Sequence, residues 1–444
     1  MAIERFGSWA SPVSAEALVA RSVSLGEVHR GRRDLWWAEG RPEEGGRTQL
    51  VRRAPDGTSR DVLADGVSVR TRVHEYGGGA WWLRGDDVVF AEWTSQRLWL
   101  LVDGEERPRP LTPECDGVQC FADGRVTPDG RWTVCVRERA VEGAEPVSEL
   151  VAVRLDPSSP EGDQPIVLVA GADFHATPRV SPDGARLAFV RWSHPHMPWD
   201  VTELCVSELT EIDDVLVAGE PRVVAGGVDE SISEPQWWGE RLVFISDRTG
   251  WWNLHDVDLA TGVVSPIATI DAEIGMPHWV FDNARYAGLD DGRIVVAFLR
   301  DGFDHLGVVI DGAVRELDLP FTSYSSLRAD GAQIIAVAAS MTAEPAVVRI
   351  GGFGLDEMPS VEVLRAPREL PVGPGSISVA EPISFPTSGG RTAHALFYPP
   401  CNERFEGSID ERPPLIVLSH GGPTSAARPQ FSLALQYWTT RGFA

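Results

Sequence analysis

The sequence predicts a mostly β protein in which a seven-bladed β-propeller is followed by the opening of an α/β unit. Two observations predict the propeller. A turn rich in Asp and Gly recurs in front of an apolar run along residues 26–350, and the recurrences are spaced by roughly fifty residues, as propeller blades are. A third observation predicts the α/β unit: beyond residue 381 an apolar run, a glycine loop and an amphipathic segment follow one another.

The chain begins with a short segment that we expect to be partly helical. Ser is a preferred N-cap and Pro is favoured at the first helical position, so Ser11-Pro12 predicts a helix over residues 13–21. The first repeat follows directly, which leaves residues 1–25 as a segment in front of the propeller.

A glycine marks each repeat and stands just before the apolar run. The marker glycines are Gly31, Gly85, Gly130, Gly184, Gly239, Gly292 and Gly331. Their spacings lie between 39 and 55 residues. In the clearest repeats Pro-Asp-Gly precedes the run, which is the chemistry of a type I turn between antiparallel strands. Unrelated β-sandwiches with similar turns are the alternative, but only stacked blades require seven similar spacings.

The segment between the two patterns is less regular. Residues 351–380 contain several Pro and Gly, and we read them as a linker or as the closure of the last blade. Two short strands, at 383–386 and 394–398, are then expected around the turn Ser388-Gly389-Gly390.

The last part of the chain, residues 381–444, carries the α/β signal. Residues 415–419 form a continuous apolar run, as in a strand that is covered on both faces. Residues 429–441 are expected to form an amphipathic helix. Its apolar face consists of Phe431, Ala434, Leu435 and Trp438, which follow helical spacing.

The loop His420-Gly421-Gly422-Pro423 lies between this strand and this helix. Glycines let the backbone approach a ligand closely, and their N–H groups can stabilise the oxyanion of an acyl-transfer intermediate. Loops of this type have that role in lipases and esterases. A plain turn between strand and helix is the alternative, which the preceding apolar run and propeller make less favourable.

Composition excludes several classes of partner. The 444 residues include 40 basic and 65 acidic side chains, for a net charge of −25, so nucleic acid and anionic membranes are poor partners. Five cysteines without a CxxC pair argue against a disulfide framework or a zinc knuckle and favour a reducing, cytoplasmic location. We find no signal-peptide pattern and no apolar stretch long enough to span a membrane.

Several stretches together resemble one known family. They are 70–79 (RTRVHEYGGG), 181–184 (SPDG), 192–200 (WSHPHMPWD), 246–250 (SDRTG), 414–423 (PLIVLSHGGP) and 436–444 (QYWTTRGFA). The chain is similar to the prolyl oligopeptidase family of serine peptidases, and within it to acylaminoacyl-peptidase and dipeptidyl-aminopeptidase-like bacterial members. The order of a propeller followed by His-Gly-Gly-Pro is the most specific part of the resemblance.

The resemblance implies a fold and a function. The expected fold is a seven-bladed β-propeller at 26–350, followed by the N-terminal part of an α/β-hydrolase domain at 381–444. Residues 1–25 are expected to pack on that domain. The family hydrolyses short peptides with a Ser-Asp-His triad between the two domains, while the propeller gates access. The backbone N–H of Gly422 takes the position of an oxyanion-hole donor, and no cofactor is implied.

The chain departs from the family in one respect: it contains no G-x-S-x-G nucleophile motif. We therefore expect a chain that was truncated or split before the serine, and that does not hydrolyse peptides without the missing hydrolase portion. We also expect residues 381–444 to be poorly stabilised unless a partner covers them, because an apolar patch and a strand edge are left exposed.

Other candidate residues are weaker. His74-Glu75-Tyr76 either faces the substrate cleft or packs beside the glycine run that follows it. His194 and His196 are two residues apart but lack a third ligand, so we expect no metal site there. Two other functions are open: a non-catalytic propeller that binds peptides or proteins, and a lipase-like esterase, which shares the glycine loop. The sequence indicates no oligomeric state.

Overall fold

A computed structural model describes residues 1–20, 23–115, 118–355, 357–422 and 424–444. Seven antiparallel sheets follow one another along the chain, and each is formed by consecutive strands. They are arranged as the seven blades of a propeller, as the repeat predicts. A smaller unit with helices and a β-hairpin follows. Within the described residues, no helix is long and apolar enough to cross a membrane.

The strands of each blade are given from the first, innermost strand outwards. They are blade 1, Ser24–Arg30, Leu35–Arg41, Arg47–Arg53 and Ser59–Asp61; blade 2, Trp81–Arg84, Asp87–Ala91, Leu98–Leu101 and Arg109–Pro110; blade 3, Gln119–Val126, Trp132–Val141, Ala144–Arg154 and Ile166–Val169; blade 4, Phe174–Val180, Arg186–Trp192, Glu203–Ile212, Val215–Ala218 and Arg222–Gly226; blade 5, Ile232–Trp238, Arg241–Ser246, Asn253–Val257 and Val264–Ala268; blade 6, Tyr286–Gly288, Ile294–Arg300, Phe303–Ile310 and Ala313–Glu316; and blade 7, Ser323–Asp330, Gln333–Ala339, Ala346–Gly351 and Ser360–Arg365.

Each marker glycine lies in the turn between the first and second strands of a blade. Six of the seven, all except Gly31, have a positive φ, between 62° and 87°. An L side chain is strained in that conformation, which is why glycine recurs there. The last blade ends with Ser360–Arg365, so its sheet extends into the segment 351–380, beyond the end that the sequence analysis gives to the propeller.

The hydrophobic core lies between neighbouring blades. Trp81 belongs to the cluster that blade 2 shares with blade 1, whereas the adjacent Trp82 belongs to the cluster shared with blade 3. Successive side chains of a strand point to opposite faces, so one Trp pair stabilises two blade contacts. The Trp82 indole also donates to Thr133 Oγ1 of blade 3 at 2.8 Å.

The first strands surround a central channel and are linked by side chains near their bulges. Three carboxylates accept a backbone N–H of the next blade: Glu27 from Gly79 at 3.0 Å, Asp123 from Thr177 at 3.0 Å and Glu234 from Arg285 at 2.7 Å. Blades 7 and 1 close the ring in the same way, because Ser326 Oγ accepts the N–H of Val28 at 2.9 Å.

The unit after the propeller contains the expected hairpin, formed by strands Glu381–Pro386 and Thr392–Phe397. The N-terminal segment packs on this unit: its strand Ala2–Ile3 pairs in parallel with Phe405–Glu406. Ser11 Oγ lies 2.7 Å from Thr440 Oγ1, which joins the two ends of the chain.

Short helices complete the structure. The 3-10 turns are Pro42–Glu44, Pro374–Ser376 and Ser388–Gly390. The first α-helix, α1, spans Ala15–Val19 and is capped by Ser14, so the helix predicted at 13–21 with Ser11 as its cap was wrong in its start. Arg21, the expected last residue, lies outside the described residues. Ser11 Oγ instead contacts the backbone of Val13 in a local turn.

The second helix, α2, spans Leu433–Thr439, which is shorter than the expected 429–441, and it buries a different face. Gln436 is buried and bonds with both backbone groups of Ser378, whereas Trp438 is 42% exposed. Of the expected apolar face, Phe431 is buried, Leu435 is half-buried, and Ala434 and Trp438 are exposed. The paired amide of Gln436 removes the cost of burying a polar group, which an apolar pattern does not reveal.

The expected strand at 415–419 is not formed as a regular strand. Its backbone makes one parallel pair of hydrogen bonds, from Ile416 N to Ala444 O at 2.8 Å and from Ala444 N to Pro414 O at 2.9 Å. Leu415, Val417 and Leu418 are between 65% and 81% exposed. A buried strand needs a ladder of neighbours, and in the described part of the chain only Ala444 pairs with this run.

Candidate functional site

The glycine loop after this run is the centre of the candidate site. His420, Gly421 and Gly422 are exposed, and His420 Nδ1 lies 3.2 Å from the Gly421 carbonyl oxygen. Gly422 has φ +66°, a conformation that favours glycine. Pro423, the fourth residue of the motif, lies outside the described residues.

A residue of the propeller contacts this loop. Trp279 belongs to the segment between blades 5 and 6, and its indole N–H donates to the carbonyl oxygen of Thr424 at 2.7 Å. A Cβ added to Gly422 would lie 3.5 Å from the Trp279 ring, which is van der Waals contact. The propeller and the glycine loop therefore meet at one indole side chain.

A pocket of about 250 Å³ opens next to Trp279. Three aromatic rings form part of its wall. The ring centroids of Trp199 and Trp279 are 4.4 Å apart, and those of Tyr76 and Trp279 are 5.3 Å apart. Met197 also lines the pocket. Such a wall suits an apolar or aromatic group of a ligand.

His74, Glu75 and Tyr76 all line this pocket. His74 packs on Phe281 and Phe174, with ring centroids 4.8 Å and 5.1 Å apart, and burial lowers its pKa to about 3. A neutral imidazole buried in this way is a wall residue rather than a proton donor near neutral pH. Tyr76, by contrast, is 63% exposed beside Trp279.

The pocket is also acidic. Four carboxylates line it, and no arginine does: Glu75, Glu138, Glu145 and Asp173. Burial raises the pKa of Glu138, whose Oε2 accepts the backbone N–H of His74 at 3.0 Å. Asp173 accepts the backbone N–H of His194 at 2.9 Å, and this bond lowers the pKa of the aspartate.

These groups can bind a cationic ligand with an aromatic part. The carboxylates attract a protonated amine, and the indoles attract a cation through their ring faces. His194 and His196 both line the pocket. The described residues include no group of three His, Cys, Asp or Glu side chains that is placed to hold a metal ion.

Sequence reasoning located only part of this pocket. It singled out His74, Glu75 and Tyr76, and the stretch 192–200 carries the family resemblance. It did not identify Trp279 or Glu138. Trp279 follows a Met-Pro-His run without any repeat signal, and Glu138 is one of many charged residues of the chain. Only the fold brings the two residues together in this pocket.

Comparison with solved structures places the chain among peptidases. It aligns over its whole length with a puromycin-hydrolysing peptidase of Mycobacterium tuberculosis, at 34% identity and a TM-score of 0.91, and covers 68% of that chain. A puromycin hydrolase gives 32% identity, the same TM-score and the same coverage.

More distant structures share the fold. An acylaminoacyl peptidase of Pyrococcus horikoshii is 14% identical, with a TM-score of 0.65, and the alignment covers 96% of this chain and 65% of the other. No family model and no curated protein matches the chain.

Proposed function

Because the chain belongs to the prolyl oligopeptidase family of serine peptidases, we propose that it supplies the propeller and the oxyanion loop of an enzyme that hydrolyses short peptides from their amino-terminal end. One observation carries the proposal: Trp279, which lines the aromatic, acidic pocket of the propeller, also donates to Thr424 O of the glycine loop and lies next to Gly422. In the proposal, a substrate bound in the pocket has its first peptide bond close to this loop.

The acidic lining of the pocket would favour substrates with a free amino terminus. A protonated amine pairs with Glu138 or a neighbouring carboxylate, and such charge-assisted bonds are roughly twice as strong as neutral ones. The first side chain packs on Trp199 and Trp279, which favours aromatic and large apolar residues.

The chemistry is divided between this chain and a hydrolase portion. In the proposal, the backbone N–H of Gly422 donates to the oxyanion as the carbonyl carbon becomes tetrahedral. A serine attacks that carbon, and a histidine takes the serine proton and passes it to the leaving amine. We place these triad residues in a hydrolase portion that corresponds to the part of the relatives outside the 68% covered by this chain.

The propeller also selects by size in this proposal. The pocket of about 250 Å³ accommodates one or two residues, which is far less than a folded protein needs. Short peptides therefore reach Gly422, while globular proteins do not.

Calorimetry on this chain tests the binding half of the proposal. The amide of Phe-Ala with a free amino terminus should bind, and its N-acetylated form should bind at least about tenfold more weakly, since one charge-assisted hydrogen bond is lost. Glu138→Gln should reduce the affinity to a similar extent, because its amide still accepts the His74 N–H but carries no charge. Glu161→Gln, on an exposed loop, is the matched control. Equal affinity for both peptides would contradict the proposal.

Labelling with a fluorophosphonate tests the catalytic half. We expect no labelling of the 444 residues alone, because the sequence holds no G-x-S-x-G serine. Peptide binding without labelling is the combination that the proposal predicts. Stoichiometric labelling of a serine in this chain would show that the nucleophile lies within it and would overturn the division of roles.

A further inference from the structure

A second cavity, of about 500 Å³, occupies the end of the central channel on the side of the marker turns. The first strands of all seven blades contribute to its wall. Pro128 and Pro182, from the turns of blades 3 and 4, lie at its edge. None of its lining residues belongs to the pocket beside Gly422.

The charge of this cavity is opposite to that of the pocket. Its lining holds four arginines and no Asp or Glu: Arg30, Arg125, Arg179 and Arg328. His29 lines it too, but burial lowers the pKa of this histidine, so the imidazole adds no positive charge near neutral pH. The protein as a whole carries a net charge of −25. The overall composition predicts an acidic surface, whereas this cavity is lined by arginines.

Buried aspartates hold three of the arginines in place from behind. Arg179 Nη1 donates to Asp123 at 3.0 Å, and Arg125 and Arg328 donate to the two oxygens of Asp282 at 2.7 Å and 2.6 Å. Both aspartates are at most 3% exposed and do not line the cavity. The guanidinium groups therefore separate the carboxylates from anything that enters.

The arginines keep donors for a ligand. No acceptor in the described part of the chain takes the Nε–H of Arg125, Arg179 or Arg328, although each guanidinium has five N–H groups. Three guanidinium groups share two aspartates at this level of the channel. Planar guanidinium groups held in fixed orientation match the geometry of carboxylate and phosphate oxygens.

We propose that this arginine-lined cavity is a binding site for a small oxyanion, either the carboxyl terminus of a short peptide or free phosphate. Trp237, which is half-buried, lines the same cavity and provides apolar surface for the rest of a peptide. The site is separate from the pocket beside Gly422 and does not depend on the proposed hydrolysis.

Calorimetry with three probes tests the site and separates the two sources of the anion. The probes are inorganic phosphate, N-acetyl-dialanine and the C-terminal amide of N-acetyl-dialanine. Acetylation removes the amine that the acidic pocket is proposed to bind. If the peptide acid binds and its amide does not, the carboxyl terminus is a ligand. If phosphate binds, free phosphate is one too. Binding of neither anion to the wild-type chain would overturn the proposal.

Variants identify the residues responsible. Arg328→Gln should weaken anion binding about tenfold or more, since one charged hydrogen-bond donor is lost, and Arg328→Lys should restore most of it. Arg241→Gln, which removes an exposed arginine paired with Asp256 on the outer rim, is the matched control and should have no effect. Circular dichroism checks the fold of each variant. A folded Arg328→Gln chain that binds anions with wild-type affinity would contradict the assignment.

Glu138→Gln keeps this test independent of the proposed function. That variant should lose affinity for the amine of Phe-Ala amide and retain full affinity for the oxyanion probes, because the two cavities share no lining residue. Loss of both affinities in a folded Glu138→Gln chain would show that the cavities do not act separately.

Discussion

The indole nitrogen of Trp279 lies 2.7 Å from the carbonyl oxygen of Thr424, and the ring of the same tryptophan lies under the α-carbon of Gly422. One side chain of the propeller thus forms a wall of the pocket and holds the glycine loop. The position of the loop therefore depends on the segment between blades 5 and 6.

Trp279→Phe removes the hydrogen bond but keeps an aromatic ring. We expect a protease to cleave within 419–428 about two- to tenfold faster, because the loop opens more often once one ordinary hydrogen bond is lost. Mass spectrometry of the cleaved peptides measures this. Trp251→Phe, at a ring that is 40% exposed, is the control and should leave the same peptides unchanged. An equal effect of both variants would contradict a specific role of Trp279.

The two glycines of the loop should differ in their tolerance of alanine. Gly422 has φ +66° and faces the Trp279 ring, so Gly422→Ala should cost about 1–2 kcal/mol of local stability. Gly421 has no atom within 4 Å of an added Cβ, and Gly421→Ala should be neutral. The exchange rate of the Trp279 indole proton, followed by NMR, reports the difference. Similar rates in the two variants would show that Gly422 is not strained.

The hydroxyl of Ser326 should stabilise the contact that closes the propeller between its last and first blades. Ser326→Ala leaves the buried N–H of Val28 without its acceptor, which should lower the free energy of unfolding by about 1–3 kcal/mol. Urea unfolding measures the change. Ser265→Ala, on an exposed outer strand of blade 5, should change the stability by less than about 0.5 kcal/mol.

Glu234 should make stability depend on pH. Burial raises its pKa to about 7 from an ordinary value near 4.5. Between these values the folded chain holds a proton that the unfolded chain has released, so the contribution of Glu234 to stability falls as pH rises through this window. The full effect is up to roughly 3 kcal/mol. Glu234→Gln cannot titrate, so its stability relative to wild type should increase between pH 5 and pH 8.

Buried histidines make the stability change with pH in the opposite sense to Glu234. Burial lowers the pKa of His74 to about 3 and the pKa values of His175 and His278 to about 4. The unfolded chain therefore takes up these protons first, and the wild type loses stability as pH falls below about 6.5. Comparing Glu234→Gln with wild type in urea at each pH cancels this background. A difference that stays constant between pH 5 and pH 8 would contradict the role given to Glu234.

The sequence alone predicts the propeller well for a physical reason. Each marker turn needs glycine at a positive φ, as at Gly130 and Gly184, and each blade needs a two-residue alternation that buries both faces, as at Trp81 and Trp82. Both demands are local and recur, so they are visible as a pattern with a regular spacing.

The unit after residue 381 and the pocket were less predictable because their determinants are not local. The buried face of α2 depends on Gln436 finding the backbone of Ser378, and the run at 415–419 depends on partner strands for its own regularity. Trp279 lies between blades 5 and 6 and Glu138 lies in blade 3, and only the ring arrangement brings both to the same pocket. A periodic sequence pattern does not reveal contacts between residues that are far apart in the chain.

Photo-crosslinking can show whether peptides bind between the propeller and the glycine loop. The probe is a dipeptide amide with a free amino terminus and benzoylphenylalanine as its first residue; crosslinked peptides are identified by mass spectrometry. We expect crosslinks to the segments that contain Trp199 and Trp279, and we expect Phe-Ala amide to compete with them. Crosslinks confined to the outer blades, or unaffected by the competitor, would contradict this expectation.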